Sequence, residues 1–347
     1  MEFKIGNHII GENHPCYIIA EMSANHGGSI DSALKIVEKA KESGADCLKI
    51  QTYTADTLTI NSDEKFFKIK KGTWKGRNLY ELYKEAYTPW EWHEDIGNKA
   101  ESLGLDFLST AYDSSSVDFL ESLGVKAYKI ASYELVDIPL IKYIASKGKP
   151  IFLSTGLATL EEINDAVHAI KSKNNNNFCL LKCSSSYPAK PEELNLLTIK
   201  DLKKRFKVPI GFSDHSMNSI SAITAIGLGI DVIEKHFCLN RNIKTPDSSF
   251  SLDPAEFEKM VKQIRIAEKS LGKITYNISD RESESQIFRK SIFVVEDINK
   301  GDYFSKDNIR VIRPSNGLAP KYYNDVLGKK ASKDIKRGIP LTRDMIG

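Results

Sequence analysis

Eight times along the chain, a short run of apolar and β-branched residues ends in polar ones and is followed by a segment of helical periodicity. The runs cover 17–23, 46–53, 106–111, 127–132, 150–155, 178–185, 209–216 and 232–237. Short continuous apolar runs suit strands covered on both faces, the condition of a parallel sheet. The intervening segments carry helix punctuation. In 29–44, Ser29 stands at the N-cap, Ala33, Val37 and Ala40 recur at helical spacing, and Gly44 falls where a helix ends. Similar periodicity marks 91–103, 160–171 and 254–271. Eight alternating units predict an α/β fold of the (β/α)₈ TIM-barrel type. An open doubly wound sheet is the alternative, but no GxGxxG follows the first run, which argues against a dinucleotide enzyme.

The texture changes near residue 280. Residues 281–286 are polar and linker-like, and the remainder is basic and turn-rich. It holds two related phrases, Asp297-Ile298-Asn299-Lys300-Gly301 and Asp334-Ile335-Lys336-Arg337-Gly338, each suited to a strand ending in a glycine turn. A barrel domain over 1–280 and a small β-rich domain over 285–347 are expected. The asparagine run 174–177 reads as solvated filler.

Composition narrows the function classes. The 347 residues are 41% hydrophobic and 27% charged, an ordinary globular balance, with a net charge of +3 that is too weak to imply a nucleic-acid surface. Cys16, Cys47, Cys179, Cys183 and Cys238 form no CxxC pair and are odd in number, which predicts free thiols in a reducing compartment. No signal-peptide core and no apolar run of roughly 18 residues occurs, so a soluble cytoplasmic protein is expected.

Barrel active sites form at the C-terminal ends of the strands, and here those ends are polar. Lys49, Lys129, Lys182 and Lys235 each interrupt an apolar run, which is expensive unless they are paired or face a polar cavity. With the hydroxyls beside them they predict a cage for a phosphorylated or carboxylated anion. Pairing with Glu21, Glu134 or Glu234 is the structural alternative, and a Schiff-base lysine is a chemical one. His215 and His236, on adjacent predicted strand ends, suit a divalent metal with open coordination positions. His26 falls in the first strand-end loop and could lie near the site; His8, His14, His93 and His168 are expected to be structural or solvated. Trp74, Trp90 and Trp92 lie in a long aromatic loop that either packs on the barrel or covers the substrate.

Several of these segments resemble the sialic acid synthase family. They are Ile19-Ala20-Glu21-Met22-Ser23-Ala24-Asn25-His26-Gly27-Gly28, Lys49-Ile50-Gln51-Thr52, Tyr128-Lys129-Ile130-Ala131-Ser132, Ser154-Thr155-Gly156, Ser213-Asp214-His215-Ser216 and Glu234-Lys235-His236-Phe237. Arg313-Pro314, Gly317-Leu318 and Pro320 resemble that family's C-terminal antifreeze-like (SAF) domain. Within the family, the Ala20–His26 run, residues 51–59 and Leu79-Tyr80-Glu81-Leu82-Tyr83 are most similar to the pseudaminic acid branch. The resemblance implies a transferase condensing phosphoenolpyruvate with 2,4-diacetamido-2,4,6-trideoxy-altrose, releasing phosphate by C–O cleavage. The runner-up is the same chemistry on a mannose-configured sugar, giving N-acetylneuraminic or legionaminic acid. It further implies that Lys49, Thr110, Lys129, Ser132, Ser154, Ser185 and Ser213 hold phosphoenolpyruvate, with Ser185 replacing a family asparagine. His215 and His236 would bind the metal, most often Mn²⁺, with Mg²⁺ or Co²⁺ possible. Glu21, Gln51, Glu134, Tyr187 and Asp247 would face the sugar or the attacking water. Arg313 would reach into the partner's barrel, which makes a domain-swapped homodimer the expected assembly. Tyr53 and Tyr112 are candidates to line the end of the sugar that bears a methyl group. A non-catalytic binding protein is the rival of another class, and it would not require the lysines and histidines together.

Overall fold

A computed structural model describes residues 2–347. Contacts divide it into two compact units, Met1–Gly272 and Lys273–Gly347. The first opens with an antiparallel hairpin, β1 (Glu2–Ile5) and β2 (His8–Gly11). Eight parallel strands follow: β3 (Tyr17–Glu21), β4 (Cys47–Thr52), β5 (Asp106–Ala111), β6 (Tyr128–Ile130), β7 (Ile151–Ser154), β8 (Phe178–Cys183), β9 (Ile210–Asp214) and β10 (Val232–His236). They pair in chain order and β10 returns to β3, closing the barrel. Each predicted run contains one of these strands. The polar ends of the runs lie beyond the strands as turns, as at Ser132–Glu134.

The helices begin where the sequence marks them. Ser29 accepts from Ser32 N ahead of the helix Ile30–Glu42. Capping boxes at Thr159/Glu162 and Asp253/Glu256 start Leu160–Lys171 and Pro254–Leu271. The helix expected over 91–103 is shorter, His93–Ser102, because a single 3₁₀ turn, Trp90–Trp92, precedes it. Of the asparagine run, Asn174, Asn176 and Asn177 are exposed as expected, but one member is structural. Asn175 is buried, with Nδ2 donating to Lys149 O (2.8 Å) and Oδ1 accepting from Asn177 N (3.0 Å), so it fastens the approach to β8.

Strand alternation decides where polarity goes. Ile19, Cys47, Leu108, Ala127, Phe152, Leu181 and Val232 form one apolar cluster with Phe3, Ile5 and Ile10 of the hairpin. The hairpin thus plugs the barrel interior, each buried side chain contributing about 1.5–3 kcal/mol. The other face of the strands packs on the helices, as Ile18, Leu48, Ile130, Leu153, Leu180 and Ile233 show.

In the second unit, β11 (Ser291–Val294) pairs antiparallel with β12 (Ile309–Ile312), and further pairing is by isolated bridges. The two related phrases meet each other. Ile298 and Ile335 exchange backbone hydrogen bonds of 2.9 and 2.8 Å and share one core. Asp297 accepts from Arg337 N and Asp334 from Lys300 N, at 2.8 and 2.7 Å. The turn glycines Gly301 and Gly338 take left-handed φ of 91° and 88°.

Gly211 on β9 leaves no room for a side chain: a Cβ there would overlap Leu181 and Val232 of the neighbouring strands. Gly211→Ala is expected to lower unfolding free energy by about 1–3 kcal/mol through overpacking, measurable by urea denaturation.

Candidate active site

Two steps further along the same alternation, inward positions turn from apolar to polar. Register places Glu21 beside Lys49, Gln51 beside Thr110, Thr110 beside Lys129, and Ser213 beside Glu234. These side chains converge on a cavity of about 880 Å³ at the C-terminal end of the barrel. Every barrel residue that the family resemblance assigns to substrate or metal lines it: Glu21, Lys49, Gln51, Thr110, Lys129, Ser132, Glu134, Ser154, Ser185, Tyr187, Ser213, His215, His236 and Asp247. Tyr53 and Tyr112 line it as well. Arg313 belongs to the second unit, where its guanidinium carbon lies 6.0 Å from the Phe288 ring centroid.

The expected cage of four lysines reduces to two. Lys49 and Lys129 point inward, whereas Lys182 and Lys235 sit one step out of phase on their strands and are absent from the lining. Lys182 donates to Cys183 O (2.8 Å), and the wholly buried Lys235 pairs with Asp214 (2.7 Å). His26 also lies off the cavity. It is buried edge-on to Trp92, with its pKa lowered by burial to about 4.

Lys49 sits 2.5 Å from Glu21 Oε2 and 3.6 Å from Glu234 Oε2, and donates to Thr110 Oγ1 (3.1 Å). Burial works against the ammonium, yet the two carboxylates outweigh it and raise its pKa. Glu234 is also buried, but Lys49 and Lys129 hold it below the usual carboxylate range. It accepts from Ser213 Oγ (2.8 Å). Glu21 is raised, because burial and the charge of Glu234 outweigh Lys49. Gln51 Nε2 donates to Glu21 Oε1 and Ser23 Oγ, both at 2.9 Å, and Ser23 donates to the buried Asp247. One polar network therefore runs from Asp247 to Ser213 across the β3–β4–β10 seam.

Lys129 differs. It is 2% exposed and, among the described residues, has no carboxylate within ion-pair distance; its Nζ donates to Ile130 O (2.9 Å) and Ser154 Oγ (2.7 Å). Burial lowers its pKa. Around it are Ser132, which accepts from Gly156 N (3.1 Å), and Ser185, whose buried Oγ has no partner. A Cβ at Gly156 would overlap both serine hydroxyls. A buried ammonium, two hydroxyls, and a glycine that leaves the space open are what an anion needs.

His215 and His236 lie with ring centroids 5.3 Å apart. His215 Nδ1–H donates to Ser184 O (2.9 Å), which leaves Nε2 as the basic nitrogen. Burial, and then the positive groups nearby, hold the His236 pKa far below its ordinary value, and its buried Nδ1 has no partner. Among the described residues no three His, Cys, Asp or Glu side chains form a closed ligand cage. Two imidazoles with free coordination positions fit a catalytic divalent cation that shares its sphere with substrate and water.

Glu134 is the remaining carboxylate of the cavity's interior, Glu193 being exposed at its rim. Its Oε2 is buried without a partner, and burial outweighs nearby Lys129 to raise its pKa to about 7.

A model of the NeuB family matches residues 36–276, and one of the SAF domain matches 289–347. The chain belongs to the NeuB family. Among curated NeuB-like relatives it is 45% identical to the pseudaminic acid synthase of Campylobacter jejuni over 335 residues, covering 96% of this chain and 97% of that protein. It is 44% identical to the pseudaminic acid synthase of Helicobacter pylori, over 96% and 98% of the two. Of solved structures, it is similar to an N-acetylneuraminic acid synthetase from Leptospira borgpetersenii, with a TM-score of 0.74 and 31% identity over 82% of this chain and 95% of that one.

Sequence reading missed Ser23 and Cys183 as cavity residues, weighed Glu234 only as an ion-pair partner, and left open whether the Trp74 loop packs on the barrel or covers the substrate; Trp74 lines the cavity. Ser23 stands two after Glu21, and Glu234 two before His236, so alternation carried the signal for both. Trp74 comes from a loop with no periodicity to read.

Gly156→Ala is expected to weaken phosphoenolpyruvate binding by about 10–100-fold, the equivalent of 1–3 kcal/mol of overpacking. Titration calorimetry on protein with an unchanged circular dichroism spectrum measures it.

Proposed function

We propose that the chain makes pseudaminic acid by condensing phosphoenolpyruvate with 2,4-diacetamido-2,4,6-trideoxy-altrose. The observation that carries this reading is one cavity with an anion cradle around Lys129 beside two imidazoles whose ring centroids lie 5.3 Å apart. The similarity to pseudaminic acid synthases over nearly the whole chain supports the choice of sugar.

In this reading Lys129, Ser132, Ser154, Ser185 and Ser213 hold phosphoenolpyruvate, with Lys49 and Thr110 beside them. Carbon 3 of phosphoenolpyruvate bonds to the aldehyde carbon. The aldehyde oxygen takes a proton, which Glu134, protonated up to about neutrality, can give. Positive charge develops at carbon 2. Water adds there and its proton goes to Glu21, whose orientation Lys49 and Gln51 fix. The carbon 2–oxygen bond to phosphate then breaks, and the carbon 2 hydroxyl gives its proton to the departing phosphate, leaving the keto group. Tyr187 and Asp247 position the sugar. His215 and His236 would hold the divalent cation, Mn²⁺ with Mg²⁺ or Co²⁺ as substitutes, which supplies Lewis-acid polarisation of the aldehyde. The lysines stabilise phosphate and carboxylate charge without rearranging.

The reading includes a catalytic domain over 1–280 and a SAF domain over 285–347. It includes a domain-swapped homodimer in which Arg313 reaches the partner's cavity, and a cytoplasmic location. Among the described residues no helix is long and apolar enough to cross a membrane.

Phosphate release from phosphoenolpyruvate with Mn²⁺ and three acceptors tests the function. The expected outcome is release with the altrose sugar, and little with its mannose-configured counterpart or with N-acetylmannosamine. Release with either of the others alone would overturn the specificity. A pH profile tests Glu134: because its pKa is raised, kcat should fall as pH rises through about 7. Glu134→Gln should lose that limb and about 10²–10⁴-fold in kcat.

A further inference from the structure

Between β4 and β5 the chain makes a long excursion, and part of it forms one side of the cavity. Leu58, Ile69, Leu79, Leu82 and Ala86 line that side. Beside them Tyr53, 3% exposed, meets Tyr83 and Tyr112 edge-on, with ring centroids 5.8 and 5.1 Å away. The ionisable lining residue from the excursion's tip is Lys71, which is exposed at the rim.

The tip of this wall is fastened across the cavity by two adjacent residues, Thr73, whose Oγ1 donates to Tyr187 O, and Trp74. Residues 69–77 fold back on themselves through Ile69 N to Arg77 O (2.9 Å) and Gly76 N to Ile69 O (2.8 Å). At the tip, Trp74 Nε1 donates to Pro246 O (3.0 Å), and the ring lies 5.6 Å from Tyr187 and 6.1 Å from Phe250. Tyr187 packs 4.2 Å from His215, and Phe250 5.0 Å from His236. Trp74 therefore ties the excursion to the two aromatic rings that back the imidazoles.

We propose that this wall selects acceptor sugars bearing a methyl group where others bear a hydroxymethyl, and that Trp74 is the positioning residue that holds it there. The proposal rests on the function proposed above. The anion cradle comes from β6–β8 and the imidazoles from β9 and β10, so the aldehyde end of the acceptor lies on that side. The remote end must then extend toward β4 and the excursion. A methyl group there exchanges water for apolar contact, whereas a hydroxyl loses its water and meets carbon. Such a wall rejects an added hydroxyl only modestly, with a ceiling of about 10²-fold in kcat/KM.

The test compares kcat/KM for the 6-deoxy acceptor and its 6-hydroxy counterpart of the same configuration, with the KM for phosphoenolpyruvate measured alongside. Wild type should favour the 6-deoxy sugar by about 10–100-fold. Leu79→Asn and Trp74→Ala should each narrow that ratio by on the order of tenfold, with the phosphoenolpyruvate KM within about twofold. Trp74→Phe, which keeps the ring stack, should retain most of the ratio. Equal wild-type use of both sugars would overturn the proposal, because a phenol would then be accepting the hydroxyl. Equal losses on both sugars in Trp74→Ala would reduce Trp74 to a structural role and overturn its part. Failure of the underlying function would look different: wild type would release no phosphate with either sugar while still binding phosphoenolpyruvate.

Discussion

Lys49, buried between Glu21 and Glu234, is the interaction on which the site depends. Taking three charges out of water costs several kcal/mol each, and attraction within the triad offsets this only in part, so the cluster is weak as a source of stability. What it supplies is position. Glu21 stands on β3, Lys49 on β4 and Glu234 on β10, so the triad spans the seam where the last strand meets the first. Removing Lys49 would leave two buried carboxylates without compensation. The triad carries one net negative charge, which Lys129 across the cavity cancels. A cavity balanced in this way can accept an anionic substrate and a divalent cation together, since neither enters a field of its own sign.

Alternation along the strands makes this arrangement possible with few residues. On β10, Val232 joins the apolar plug, Glu234 the triad and His236 the imidazole pair, all inward, while Lys235 turns outward to Asp214. The apolar layer and the hairpin beneath it exclude water from below, so the polar layer opens in one direction only. Low local dielectric then strengthens every contact that an anion makes with Lys129.

Much of this was legible in the sequence. Apolar runs and capping residues marked each barrel strand and four of the helices, because those signals are local and agree with the tertiary fold. The fourteen expected barrel residues lie on one cavity because strand ends of a closed barrel must converge. What failed did so for physical reasons. Lys182 and Lys235 look like Lys49 in composition, and only counting the phase of each strand from a known inward residue separates them. Asn175 reads as solvent-exposed by residue type, yet its amide satisfies a backbone carbonyl ahead of β8. Trp74 and the wall it fastens lie in an excursion without period, where contacts are set by residues more than a hundred positions away.

Two carboxylates of the cavity, Glu234 and Glu134, show how one site can hold opposite protonation states at neutral pH. Glu234 lies between Lys49 and Lys129 and accepts from Ser213, so its ionised form is favoured despite burial. Glu134 has an oxygen without any partner, and burial lifts it to about 7. Environment rather than residue type divides them. In the proposed condensation one group must give a proton to an aldehyde oxygen while others stay anionic beside a developing cation. A Glu134 tied to a lysine could not do the first, and a Glu234 without lysines could not do the second. The placement of Lys49 and Lys129 therefore sets the charge of the carboxylates as well as the site for the anion.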